Sequence, residues 1–108
     1  MKKAALLIFV VALALPLSAQ TWKSAPLMDA DCAGTMENPE THTRSCALKC
    51  ADSGFGLIVD DKFVKFDTKG NELAKAALEK TDKKDHIRAT VDGEMKDGVI
   101  AVTALTLE

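Results

Sequence analysis

The chain has 108 residues, of which 47% are hydrophobic and 28% are charged, and its formal net charge at pH 7 is −2. At this length we expect one small domain, and three cysteines are too few for a scaffold built from disulfides. With interspersed charges, one tryptophan and no tyrosine, the composition argues against nucleic acid or an anionic membrane as a partner.

The N-terminus has the three parts of a secretory signal peptide. Two lysines follow the initial methionine, residues 4–15 form an uninterrupted apolar run, and Ala19 offers a small residue for cleavage. This run is too short to span a bilayer of about 30 Å as a helix, which favours a cleaved signal peptide over an uncleaved membrane anchor. We therefore predict no membrane association after cleavage. We therefore expect residues 1–19 to be a signal peptide and residues 20–108 to be a single periplasmic or secreted domain.

The start of the mature chain predicts one strand and one loop. Residues 21–27 are predicted to form a short first strand or an extended lead-in, which Pro26 would keep at a sheet edge because proline cannot donate to a ladder. Residues 28–37 have the composition of a loop. This loop carries Cys32, the first of the cysteines.

A helix is predicted over residues 38–53. Asn38 can accept a hydrogen bond from a free amide at the N-cap, and Pro39 is tolerated at the first helical position. Gly54 is a residue type that commonly follows the end of a helix. This helix would carry the other two cysteines and one histidine.

The next segment predicts a β-hairpin followed by a helix. Residues 55–59 and 62–66 are apolar or β-rich runs, and the turn between them is Asp60-Asp61. Residues 71–80 have apolar positions at helical spacing and are predicted to form the second helix.

Two further strands are predicted at the C-terminal end. In residues 87–92 apolar and polar positions alternate, which is typical of a half-buried strand, and Gly93 is expected to mark a bulge. Residues 99–107 form a long β-branched run. The residues expected to share one face of this strand are Val99, Ala101, Thr103, Leu105 and Leu107.

These elements predict a mainly β domain with two helices, of the α+β class. The expected architecture is a small five-stranded barrel of the oligonucleotide/oligosaccharide-binding (OB) type, with the helix of residues 71–80 between strands three and four. Closure would remove the exposed edges of so small a sheet. The cysteine-bearing helix would be an insertion between strands one and two, and the rival architecture is an open sheet with both helices on one face.

The cysteine spacing resembles that of a group of small exported bacterial OB-fold-like domains of unknown function. These domains pair an early Asp-x-x-Cys, here Asp29 to Cys32, with a later Cys-x-x-x-Cys, here Cys46 to Cys50. The resemblance implies the fold and export but no activity. It extends to Gly54, Asp60-Asp61, Phe66-Asp67, Val91-Asp92-Gly93 and Ile100-Ala101-Val102, while Ser24-Ala25-Pro26 stands where the group has a glycine opening the first strand.

The candidate site is a soft-metal site made by Cys32, His42, Cys46 and Cys50. The last three are spaced four apart, which places them on adjoining parts of one face if they lie on one helix. Three thiolates and an imidazole suit Zn²⁺, and thiolates also suit Cu(I). The residues expected to support these ligands are Asp29 and Asp31, as acceptors for His42, and Met28 and Met36, whose thioethers would favour copper.

A disulfide is the alternative for the same cysteines. An oxidising compartment favours pairing Cys32 with Cys46 or Cys50, and the bridge would stabilise the domain by roughly 3 kcal/mol. The leftover cysteine would then be a small buried residue. Thiol-disulfide exchange is a third reading, and it needs a thiol whose pKa is lowered.

No arrangement of residues in the sequence predicts an enzyme. We therefore expect a small exported domain without catalytic activity that holds zinc or copper at the cysteines. The alternative is a disulfide-stabilised module that binds a protein or small molecule and needs no metal.

Overall fold

A computed structural model of the protein describes residues 19–34, 38–39 and 41–108. The predicted signal peptide therefore lies outside the described residues except for Ala19, which begins the first strand. The elements in chain order are β1 (Ala19–Asp29), α1 (Ala30–Gly34), α2 (Arg44–Lys49), a 3₁₀ turn (Ala51–Ser53), β2 (Phe55–Val59), β3 (Lys62–Phe66), α3 (Thr68–Lys80), β4 (Arg88–Lys96) and β5 (Val99–Leu107).

The five strands form a closed barrel in the order β1-β2-β3-β5-β4, with β4 pairing back onto β1. All pairs are antiparallel except the short parallel contact between β3 and β5. The closed barrel is therefore confirmed and the open sheet is excluded. The strand order is consistent with an OB-like barrel, and α3 lies between β3 and β4 in the chain.

The core fills the barrel and extends under α3. Apolar side chains from every strand and from the inner face of α3 form one contiguous cluster. Burying such side chains is the main favourable contribution to folding, at roughly 1.5–3 kcal/mol for each large residue. The fully buried members with the largest side chains are Leu27, Phe55, Leu57, Leu78, Val91 and Ile100.

The predicted hairpin is confirmed with the same bounds. β2 and β3 pair antiparallel from Gly56↔Lys65 to Val59↔Lys62. Both residues of the connecting turn have positive φ, 51° at Asp60 and 65° at Asp61. Two-residue hairpin loops favour this backbone, and aspartate tolerates it better than most residues, which explains why the turn forms there.

The first strand forms where it was predicted, over residues 21–27, but it is longer than expected, and its predicted place at a sheet edge is wrong. β1 has 11 residues and lies between β2 and β4 in the barrel. Its pairing with β4 shifts register between Trp22 and Ala25, and Ser24 in this irregular segment has a φ of 52°. A bulge of this kind is one of the few places where an internal strand accepts a proline, and Pro26 follows it directly.

The fourth strand and the second helix are longer than predicted. β4 begins at Arg88, close to the predicted start, but continues to Lys96. α3 begins at Thr68, because the Asp67 side chain accepts a hydrogen bond from Gly70 N at 2.9 Å and caps the helix one turn earlier than expected.

The last strand has the predicted bounds, but the single inner face predicted for it is wrong. Ile100 and Val102 are buried in its first half, whereas Leu105 and Leu107 pack against the core in its second half. The cause is the register shift at Gly93, where the pairing leaves Thr103 as an extra residue on β5. One extra residue exchanges the two faces of a strand. The predicted irregularity at Gly93 is thus confirmed.

The connection between β1 and β2 differs most from the prediction. The single helix expected over residues 38–53 is wrong, because α2 has only six residues and begins after Thr43. Part of the expected loop over residues 28–37 is ordered as the end of β1 and as α1, which carries Cys32. None of the described helices has the length and apolar character needed to cross a membrane.

Candidate metal centre

Two hydrogen bonds donated by backbone amides join the beginning and the end of the β1–β2 connection. Ala30 N donates to Gly54 O at 2.9 Å, and Asp31 N donates to the Ser53 hydroxyl oxygen at 3.2 Å. The same hydroxyl donates to Cys50 O at 2.8 Å. Because these bonds tie α1 to the 3₁₀ turn, they bring the two cysteine-bearing segments together, although the cysteines are 18 positions apart in the sequence.

The second helix of the connection is set by a polar cap and by a long-range contact. Thr43 accepts a hydrogen bond from Cys46 N at 3.1 Å through its side chain. It also forms an isolated antiparallel bridge with Asp85, and Arg44 N donates to Lys84 O at 2.8 Å. Thr43 is therefore held in an extended conformation, and the helix can begin only after it.

Asp29 is the buried centre of the site. Its side chain is 0% exposed, and it stands at the end of β1 beside the cysteine segments. Its Oδ1 lies 2.7 Å from His42 Nε2, and its Oδ2 accepts a hydrogen bond from Cys32 N at 2.9 Å. A carboxylate only accepts hydrogen bonds, so the His42 nitrogen is the donor in this pair. These bonds satisfy a polar group whose burial would otherwise be costly.

Three side chains converge into one group of ligand atoms. A carboxylate oxygen of Asp29 and the sulfur atoms of Cys32 and Cys50 all lie within 4.8 Å of one another. Both cysteines are half-buried, and no disulfide joins the cysteines of the described chain. The arrangement can hold a metal ion with little movement, because ligand atoms around one zinc ion lie roughly 3.5–4 Å apart.

Burial and negative charge keep the thiols protonated in the metal-free state. Desolvation by burial, followed by the charge of Asp29 and a hydrogen bond to it, raises the pKa of Cys32 to about 12. Partial burial and the charges of Asp29 and Asp31 also raise the pKa of Cys50. Thiol-disulfide exchange needs a thiolate, so this environment opposes exchange by these two cysteines as long as no metal ion has displaced their protons.

The structure places the other predicted ligands outside this group. His42 precedes the N-cap of α2 and is 6% exposed, and it contacts Asp29 as expected. The prediction that it shares a helix face with the two later cysteines is wrong, because it is not on that helix. Cys46 lies on α2 one turn before Cys50, whose backbone N donates to Cys46 O at 3.1 Å, and it is exposed.

The predicted supporting residues are divided between the site and its surroundings. Asp31 is exposed on α1, and its charge acts on Cys50. Met28 is 1% exposed in β1, directly before Asp29, and neighbouring side chains in a strand point to opposite faces. Met28 therefore does not extend the cluster. Met36 lies outside the described residues.

From the sequence, Asp29 was predicted to accept a hydrogen bond from His42 but not to bind the metal, and Ser53 was given no role. A signal for Asp29 was present, because Asp-x-x-Cys has the spacing of an N-cap residue and the third residue of the helix that it caps, and the Asp29–Cys32 bond has this form. No local signal identifies Ser53, whose contact with Asp31 spans 22 positions.

Comparison with known proteins gave no match among protein-family models, curated proteins or solved structures. Functional interpretation therefore depends on the fold and on the geometry of this site.

Proposed function

We propose that this chain is an exported, non-catalytic barrel domain that holds one Zn²⁺ ion between Asp29, Cys32 and Cys50. The observation that supports the proposal is the convergence of their ligand atoms within 4.8 Å. Carboxylate oxygen and thiolate sulfur are both common zinc ligands. A water molecule would complete a tetrahedral set, because the exposed Cys46 sulfur is not among the ligand atoms that lie within 4.8 Å of one another.

Charge favours Zn²⁺ over Cu(I) at this site. Once metal binding displaces the thiol protons, two thiolates and one carboxylate carry three negative charges, which a divalent ion offsets better than a monovalent ion. Cu(I) prefers soft sulfur ligands. Here one of the three ligands is a carboxylate, and the buried thioether of Met28 projects from the opposite face of β1. Cu(I) is therefore the second choice.

His42 has a positioning role in this proposal. Its ring nitrogen is already used in the bond to Asp29 Oδ1, and that bond fixes the orientation of the carboxylate. Outer contacts of this kind orient ligands and tune the ion. The Asp29–His42 pair thus forms the buried side of the site, and the half-buried thiols form the side that is partly exposed to solvent.

Export and family membership are parts of the same proposal. They are supported by the N-terminal sequence, by the Asp-x-x-Cys and Cys-x-x-x-Cys spacings, and by a strand order consistent with the OB-like barrel of the group that the chain resembles. Nucleic acid is not proposed as a partner because the mature chain has 12 basic and 16 acidic residues.

Native mass spectrometry of the reduced mature protein tests the metal site. We expect one bound Zn²⁺ per chain, and strong thiolate-to-metal charge-transfer absorption when Co²⁺ replaces it. Cys32→Ser and Cys50→Ser should each weaken binding by at least tenfold. His86→Ala is the matched control, because His86 is exposed and is not a member of the cluster. The absence of a bound ion, or equal binding by the cysteine variants, would contradict the proposal.

A disulfide-stabilised binding module is the second candidate, and it is supported by the closeness of the Cys32 and Cys50 sulfur atoms. A bridge between them would close a loop of 19 residues, counting both cysteines, and would stabilise the domain by about 3 kcal/mol. In that case Cys32→Ser would lower the melting temperature of the oxidised protein by the same amount with and without a chelator.

A further inference from the structure

The two sulfur atoms of the proposed zinc site are also the two best placed to form a disulfide. The Cys32 and Cys50 sulfurs lie within 4.8 Å of each other, and a hydrogen bond with the Cys32 side chain acts on the Cys50 thiol. A disulfide needs its sulfurs about 2 Å apart, which small side-chain rotations can supply from this distance. One pair of atoms can therefore either bind the ion or bond to each other.

Cys46 is a poor partner for such a bridge. It is not part of the group within 4.8 Å, and it is exposed on α2. Its backbone is joined to Cys50 by a helical i,i+4 hydrogen bond of 3.1 Å. Residues at this spacing hold their Cβ atoms about 5–6 Å apart, whereas a disulfide needs roughly 3.5–4.5 Å. A bridge between Cys46 and Cys50 would require the helix to unwind.

The ends of the connection stay in place whichever state the cysteines adopt. Ala30 N to Gly54 O and Asp31 N to the Ser53 hydroxyl are bonds that involve neither sulfur. The hydrogen bonds of Asp29 to His42 and to the Cys32 backbone also do not use a thiol. The hydrogen-bonded segments around the two sulfurs can thus accommodate both the bound ion and the disulfide bridge.

We propose that the site is a redox-controlled zinc site, in which formation of the Cys32–Cys50 disulfide releases the ion. This inference rests on the proposed zinc binding and names the regulation of that same site. The oxidant is a small-molecule or protein disulfide, the chemical class that exchanges with thiolates. Asp29 is the one member of the group that keeps its ligand atom after oxidation, and one carboxylate cannot retain Zn²⁺.

The reaction is two successive thiol-disulfide exchanges. The Cys50 thiolate attacks one sulfur of the oxidant, which forms a mixed disulfide and expels the other half of the oxidant as a thiolate. The Cys32 thiolate then attacks the Cys50 sulfur, which forms the protein disulfide and expels the second half. Two electrons pass from the two protein thiolates to the oxidant, the expelled thiolates take up protons from water, and zinc leaves as Zn²⁺ without changing its oxidation state.

The test follows zinc and disulfide together in one sample. Reduced protein is loaded with one Zn²⁺ and freed of reductant, and oxidised glutathione is added in the presence of a chromophoric zinc chelator. Peptide mapping by mass spectrometry identifies the disulfide at each time point. We expect one Zn²⁺ released per Cys32–Cys50 bridge, no comparable release without oxidised glutathione, and full rebinding after dithiothreitol.

Cys46→Ser is the matched variant, because it removes the exposed thiol and leaves the proposed pair. It should retain coupled release with the same one-to-one ratio. A bridge that forms while zinc stays bound, release that accompanies only a Cys46 adduct, or loss of coupling in Cys46→Ser overturns the inference. Failure of the proposed function is distinguishable, since such a protein takes up no zinc under reducing conditions before any oxidant is added.

Discussion

His42 Nε2 lies 2.7 Å from Asp29 Oδ1, and both side chains are buried, with 6% of His42 and 0% of Asp29 exposed. This bond joins the segment before α2 to the end of β1. It therefore contributes both to the stability of the β1–β2 connection and to the orientation of a proposed zinc ligand. The two effects can be measured separately.

Replacing His42 with alanine should destabilise the metal-free protein and weaken zinc binding. The buried Asp29 carboxylate would lose a hydrogen-bond donor, which costs about 1–3 kcal/mol of unfolding free energy and more if the group stays charged. Loss of an orienting contact typically lowers metal affinity by about 10- to 100-fold. Urea denaturation measures the first effect, and competition with a zinc chelator measures the second.

His86→Ala is the control for this variant. His86 Nδ1 also contacts an aspartate, Asp85 Oδ1 at 3.0 Å, but more than half of each side chain is exposed. Exposed pairs of this type contribute roughly 0–1 kcal/mol. Equal stability losses in His42→Ala and His86→Ala would show that the buried pair has no special role.

Local structure that depends on residues close together in the sequence was predictable from the sequence. The hairpin was predicted with its bounds because Asp60-Asp61 suits a turn with two positive φ values between two β-rich runs. The start of α2 was not predictable, because Asn38 and Thr43 are both good N-cap residues. Thr43 is selected by its bridge to Asp85, a contact that no local pattern reveals.

Alkylation should distinguish Cys32 from Cys46 in the metal-free, reduced protein. With a pKa of about 12, the Cys32 thiol has roughly 10³-fold less thiolate at pH 8 than a thiol with the reference value of 9.0. The greater nucleophilicity of a high-pKa thiolate recovers part of this difference. We therefore expect iodoacetamide to modify Cys32 roughly 30- to 100-fold more slowly than an ordinary thiol, and the exposed Cys46 first.

The pH dependence gives this prediction a second readout. Between pH 8 and pH 11 the Cys32 rate should rise about tenfold per unit, because the thiolate fraction keeps growing until the pH reaches the pKa. An ordinary thiol reaches its maximum rate near pH 9–10. Mass spectrometry of quenched, digested samples measures each cysteine separately. A Cys32 rate that levels off near pH 9 would show that burial and Asp29 do not hold the proton.

Zinc binding should release protons and tighten as the pH rises. The pKa values of Cys32 and Cys50 are both raised, so both thiols are protonated near neutral pH and must lose a proton to become ligands. At least two protons should therefore leave per ion, and the dissociation constant should fall about 100-fold from pH 6 to pH 7. Calorimetry in buffers with different ionisation enthalpies counts the protons. A count below two would mean that one cysteine does not bind the ion.

The candidate site was predictable in its residue types but only partly in its membership. Cys32 and Cys50 were predicted because cysteines in a chain that is expected to be exported are natural ligands or bridge partners. Their proximity depends on the bonds between Ala30 and Gly54 and between Asp31 and Ser53, which span more than 20 positions. His42 was predicted as a ligand because a longer helix was expected, and its position before Thr43 places it against Asp29 instead.

Replacing Gly56 with alanine should destabilise the barrel. A Cβ at this position of β2 would lie 2.3 Å from Val64 O and 2.8 Å from Lys65 Cα, and neither backbone atom can move without disturbing the β2–β3 pairing. Overpacking of this kind costs about 1–3 kcal/mol, and backbone clashes fall at the upper end.

Gly34→Ala is the matched control, because nothing lies within 4 Å of its Cβ. Urea denaturation should show a loss of about 3 kcal/mol for Gly56→Ala and a change within about 0.5 kcal/mol for Gly34→Ala. Equal stabilities would mean that β2 and β3 do not approach each other this closely at Gly56, and the register of the hairpin within the barrel would then have to be revised.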